Sequence, residues 1–121
     1  MIFVFGSNKA GRHGAGSARR ALYQYGAKYG RGIGPQGNSY AIPTKGYDME
    51  VLPLEEIQGH VEDFLTYARQ HPEEKFHVVR VGCGLAGYTS EQIAPMFRGC
   101  PSNVELHKDW KAILSRLAKN C

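Results

Sequence analysis

Two runs of glycine in this sequence stand where backbone amides can hold an anion. The first is Gly6-Ser7-Asn8-Lys9-Ala10-Gly11-Arg12-His13-Gly14-Ala15-Gly16. It follows the apolar Ile2-Phe3-Val4-Phe5 and precedes the helix-like Ser17-Ala18-Arg19-Arg20-Ala21-Leu22. The second, Gly82-Cys83-Gly84-Leu85-Ala86-Gly87-Tyr88, follows His77-Val78-Val79-Arg80-Val81 and precedes Thr89-Ser90-Glu91-Gln92-Ile93-Ala94. A glycine loop between a strand and a helix N-terminus suits phosphate. No Cβ keeps the N–H groups from the anion, and the helix dipole favours negative charge there. One such loop is equally well a tight turn; two in a short chain point to a diphosphate held between them.

The elements needed to position these loops alternate along the chain. Strands are expected at 2–5, 39–43, 76–81 and 104–106. Helices are expected at 17–28, from Pro53 to the stop at His71-Pro72, at 90–97 and at 108–119. Ala18, Ala21, Leu22 and Tyr25 make the apolar face of the first helix, and Ile57, Val61, Phe64, Leu65 and Ala68 that of the second. Trp110, Ile113, Leu114 and Leu117 make that of the last. Gly26 to Gly37, with Pro35 inside, reads as a loop, and 49–52 as a short extended piece. The βαβαβαβα order predicts one α/β domain spanning 1–121, a compact three-layer α/β/α fold around a mostly parallel, mixed sheet. Ligands of such sheets sit beyond the C-terminal strand ends, so both glycine loops and the Thr44-Lys45 segment are expected to converge there.

Composition narrows the class. With 121 residues, 42% of them hydrophobic and 21% charged, the chain suits one ordinary globular core. No apolar run is long enough for a membrane span, and Met1-Ile2-Phe3 enters a strand without a signal-peptide pattern. The cysteines Cys83, Cys100 and Cys121 are odd in number and lack CxxC spacing, as expected of a reduced, cytoplasmic protein without disulfides. His60, His71, His77 and His107 have no metal-ligand spacing, so neither a metal nor a resident cofactor is expected. The net charge of +4 suits a polyanionic ligand or a plain solvated surface. A dinucleotide fold of the Rossmann type fits poorly. Gly11 to Gly16 reads G-x-x-G-x-G, and no acidic residue closes a second strand about twenty positions on.

In these segments the chain resembles macrodomains, the ADP-ribose-binding modules, from Ile2 to about Leu106. Arg12-His13-Gly14-Ala15-Gly16-Ser17-Ala18 is similar to the first loop of that family, and Arg80-Val81-Gly82-Cys83-Gly84-Leu85-Ala86-Gly87 to the second. Ile42-Pro43-Thr44-Lys45 looks like the strand ending in a Thr-Lys pair found in terminal ADP-ribose glycohydrolases and in bacterial antitoxins that strip ADP-ribose from DNA. Short proteins of this look occur in bacteria and phages. The sequence departs from the family at two places. The Asp that contacts adenine on a leading strand has no counterpart here, and Ala86 stands where some relatives carry an acid/base Asp.

The resemblance implies a ligand, ADP-ribose or a related nucleotide, and roles for the residues. The amides of Gly14, Ala15 and Gly16, and those from Gly84 through Leu85 and Ala86 to Gly87, would hold the phosphates, with Gly82, Cys83, Ser17 and Thr44 beside them. The helices beginning near Ser17 and Ser90 would add their dipoles. Asn8 would bind ribose hydroxyls, and Tyr88 would stack on or hydrogen-bond to the distal ribose or else cover the core rim. Lys45 would attack C1″ or stabilise a leaving group. His13 is either a proton carrier or a solvent-exposed loop residue. Three functions follow: hydrolysis of an ADP-ribosyl linkage on protein or DNA, non-catalytic binding of ADP-ribose or a cyclic nucleotide, and basic nucleic-acid binding.

Overall fold

The structure, a computed structural model, describes residues 1–119. Strand β1 (Ile2–Asn8) leads to helix α1 (Gly16–Gln24), and β2 (Gly34–Gln36) and β3 (Ser39–Lys45) lead to α2 (Leu54–Gln70). Strand β4 (Phe76–Val78) precedes α3 (Ser90–Ile93) and a 3₁₀ turn over Ala94–Phe97. Strand β5 (Val104–Glu105) precedes α4 (Lys108–Lys119). The sheet order is β2-β3-β1-β4-β5, with β2 antiparallel to β3 and every other pairing parallel. The domain is α/β with three layers, as expected.

Alternation along β1 separates the layers. Phe3 and Phe5 pack with Ala41 against Ala18 and Ala21 of α1. Val4 points to the opposite face, in the larger core. There Tyr40, Ile42, Phe76 and Val78 meet Ile57, Val61, Phe64 and Leu65 of α2, Phe97 of the 3₁₀ turn, and Trp110 and Ile113 of α4. Among the described residues helix α1 is therefore the single helix packed on its face, and it lies over β1 and β3. The β4–β5 side of that face carries no helix among the described residues.

Several boundaries differ from expectation for identifiable reasons. Gly34–Gln36, read as loop, is an edge strand. Pro35 is tolerated because one flank of an edge strand has no ladder to join. Pro43 does not end β3; its antiparallel neighbour reaches only Ala41, so the missing N–H interrupts no ladder, and the strand runs through Thr44 to Lys45. Strand β4 stops at Val78, although the Val79 amide still donates to the Val4 carbonyl at 3.1 Å. Helix α1 ends at Gln24 rather than at Lys28, where Gly26 (φ 72°) turns the chain into the left-handed region. Pro95 converts the end of the helix expected at 90–97 into a 3₁₀ turn. Of the expected extended piece at 49–52, a single bridge between Lys45 and Val51 forms.

Candidate functional site

A cavity of about 790 Å³ opens along the C-terminal edge of the sheet, from the end of β3 across β1 and β4 to the residues after β5. Asn8, Gly14, Ala15, Gly16 and Ser17 contribute from the first loop, Thr44 and Lys45 from β3, and Gly82 to Ala86 from the second loop. The convergence expected from strand polarity is therefore present. Gly87, Tyr88 and His13 are not part of the wall.

Register places Lys45. The β1–β3 ladder shifts after Ser7, so that Asn8 pairs with Lys45, and the Lys9 amide donates to the Lys45 carbonyl at 2.9 Å. Lys9 itself is engaged, with its ammonium 2.5 Å from Glu56 and over the Tyr47 ring. This hydrogen bond holds the Glu56 carboxyl below its ordinary range and raises Lys9 above its own. Lys45 makes no ion pair among the described residues and lines the cavity, half-buried. Thr44 is buried, its hydroxyl directed to the Ser7 carbonyl at 3.4 Å.

The glycines divide into two kinds. A Cβ on Gly11 would lie 2.3 Å from the Arg31 amide nitrogen, and one on Gly32 would lie 2.0 Å from the Asn8 carbonyl. Those residues let the first loop cross the glycine-rich stretch before β2. A Cβ on Gly14 or Gly84 meets nothing within 4 Å. Packing does not require glycine there, and both positions line the cavity. Among the described residues, no backbone acceptor takes the amides of Gly14, Gly84, Leu85 or Ala86. By contrast, the Gly87 amide donates to Gly84 and the Tyr88 amide to Gly82, which closes the second loop on itself.

The two helix starts also differ. Helix α1 begins without a side-chain cap and without an acid in its first turn, which leaves its first amides available. Helix α3 is four residues long, and Thr89 and Gln92 form a reciprocal capping box at its start. The anion-binding contribution expected near Ser90 is thus already occupied by the chain's own side chains.

Three expected site residues have structural partners. Asn8 is 5% exposed, and its amide both donates to the Arg12 carbonyl and accepts from the Arg12 N–H, each at 2.9 Å. It clamps the loop and presents only its remaining hydrogen-bonding capacity to the cavity. His13 is 1% exposed, edge-on to Phe5, with Nε2 3.0 Å from the Arg31 carbonyl and 3.3 Å from Gln36 Oε1. Both partners are acceptors, so chemistry assigns the proton to Nε2. His13 is neither a loop residue in solvent nor a proton carrier at the cavity; it ties the first loop to the segment before β2. Tyr88 donates to the Leu52 carbonyl at 2.5 Å and packs against the large core, which makes it a rim residue rather than a ribose platform.

Cys83 lines the wall, and burial pushes its thiol up, partly offset by the Ser90 hydroxyl. It stands as a neutral small residue. Cys83 and Cys100 are free thiols; Cys121 lies outside the described residues. Among the described residues, no group of three His, Cys, Asp or Glu is placed to hold a metal ion, and no helix is long and apolar enough to cross a membrane.

The wall includes residues to which the sequence assigned no role: Arg20, Met49, His77, Arg80 and His107. For His77 and Arg80 the signal was available, since each sits on or just after a strand whose end meets the cavity. Met49, with φ 66°, arrives through a turn that residue type does not announce. No protein-family model matches the chain, and no curated protein matches it.

Proposed function

We propose that this chain is a macrodomain-like module that binds ADP-ribose, or a nucleotide built like it, and hydrolyses an ADP-ribosyl linkage. One observation carries the reading: on two glycine loops, amides that have no backbone acceptor among the described residues line one cavity at the sheet edge, together with a lysine that makes no ion pair among them. The amides at Gly14 and at Gly84 to Ala86 suit the two phosphates, and the uncapped start of α1 adds its dipole. The distal ribose then lies toward Asn8 and Lys45, which the ladder holds side by side. In the reaction, the Lys45 amine forms a bond to C1″ as the bond to the leaving group breaks with its electron pair, and the proton shed by the nitrogen passes to the departing group or to solvent; water then adds its hydroxyl to C1″ and its proton to the nitrogen, which releases ADP-ribose and restores the amine.

A binding-only role is favoured by a second observation. Among the described residues no Asp or Glu lines the cavity, so none offers a carboxyl to protonate a poor leaving group. Hydrolysis is therefore expected for leaving groups that depart readily, such as a carboxylate or a nucleobase. The deciding assay measures ADP-ribose release from protein-linked and DNA-linked substrates. Wild type should release it, while Lys45→Ala and Lys45→Arg should not, because a guanidinium stays protonated and cannot act as a nucleophile. Wild-type inertness on every substrate would leave the binding-only role.

A further inference from the structure

The cavity continues past the phosphate loops onto the face of the sheet beside α1, where no helix covers β4 and β5. There its wall is Arg20 of α1, His77 and Val79, Arg80, and His107 beyond β5. If the distal ribose lies toward Lys45 and the diphosphate between the loops, this limb is the part of the wall left for adenosine. A ribose diol in a dinucleotide site is ordinarily met by a carboxylate, whereas arginine there accommodates a phosphate ester on the ribose. Among the described residues its wall offers two guanidiniums and two imidazoles and no carboxylate; Glu105, opposite His77 in the β4–β5 ladder, stays outside the wall and pairs with Lys111.

The guanidiniums are held in place. That of Arg20 lies 5.3 Å from the Phe3 ring and 5.9 Å from the Tyr25 ring. Arg80 is 3.7 Å from Asp109, which also approaches His107 at 3.6 Å. The Arg80–Asp109 pair is exposed, and Asp109 itself is outside the wall, so the pair leaves the guanidinium available to a second anion. Nor is the limb a platform for a nucleic-acid strand. Such platforms stack bases on aromatic rings, and among the described residues no Phe, Tyr or Trp lines the cavity.

We propose that this limb recognises a phosphomonoester on the adenosine ribose, so that the preferred ligand is an ADP-ribose carrying a 2′- or 3′-phosphate. This rests on the ADP-ribose reading of the cavity. Titration calorimetry with ADP-ribose and ADP-ribose 2′-phosphate tests it on wild type, Arg80→Gln and Arg80→Lys; ADP, 2′-phospho-ADP and 3′-phospho-ADP tell which hydroxyl carries the ester. Wild type should bind a phosphorylated ligand about tenfold tighter or more than its parent, as expected for a charge-assisted contact. In Arg80→Gln the ratio of the two affinities should fall to within about threefold, with Arg80→Lys intermediate. Equal affinities in wild type, or a preference that survives Arg80→Gln, would overturn the inference while leaving ADP-ribose binding intact. Absence of heat with every ligand would instead overturn the reading of the cavity, and this inference with it.

Discussion

At Lys45, position matters more than residue type. Lysines are common on surfaces, and what sets this one apart is the strand beneath it, which holds it opposite Asn8, and the lack of a carboxylate partner among the described residues. The expected outcome for Lys45→Ala is loss of hydrolysis with ADP-ribose affinity kept within about tenfold, since the phosphate contacts come from backbone amides; full activity in this variant would remove the mechanism. Asn8 behaves differently. Its amide clamps Arg12 from both sides, so Asn8→Ala should lower thermal stability as well as affinity, by about 1–3 kcal/mol in unfolding free energy for partners left unpaired. A melting temperature equal to that of wild type would show that the clamp carries no load. The sequence made Asn8 a plausible ribose ligand because loop amides do bind hydroxyls; that this amide is turned back on its own loop is a tertiary fact no spacing reveals.

At the scale of elements, the strand ends gather the site and short tethers hold its loops. One tether joins the end of β1 to α2 through Lys9 and Glu56, with His60 3.5 Å from the same carboxylate. The folded-state pKa of Glu56 is lowered, chiefly by the Lys9 hydrogen bond, so its stabilising effect is present above the ordinary carboxylate range and fades as pH falls through the lowered value. Wild type should therefore be slightly more stable than Glu56→Gln at neutral pH, and the gap should close in acid, as measured by denaturant unfolding at several pH values. A gap that widens in acid would reverse the sign. The positions of α2 and α4 were legible because their apolar periodicities are long and regular, and that of β1 because the apolar run Ile2-Phe3-Val4-Phe5 leads straight into glycine. Strand β2 was not, because Gly34 and Pro35 signal a loop to any reading that cannot see the edge they occupy. The fate of His13 was hidden in the same way: its burial depends on Arg31 and Gln36, which reach it only once the stretch before β2 folds back over the first loop.

Across the whole molecule, two loops far apart in sequence have to act as one receptor for an anion. Nothing in the core packing needs glycine at Gly14 or Gly84, where an added Cβ enters open space. Gly14→Glu and Gly84→Glu should therefore fold with nearly unchanged melting temperatures while placing a carboxylate where a phosphate belongs. The most direct measurement is the melting temperature of these proteins with and without free ADP-ribose. Ligand at about 100 times its dissociation constant should stabilise wild type by about 2.7 kcal/mol, a shift of several degrees, and should leave both glutamate variants unmoved. No shift in wild type at millimolar ADP-ribose, or an equal shift in the two variants, would contradict the account.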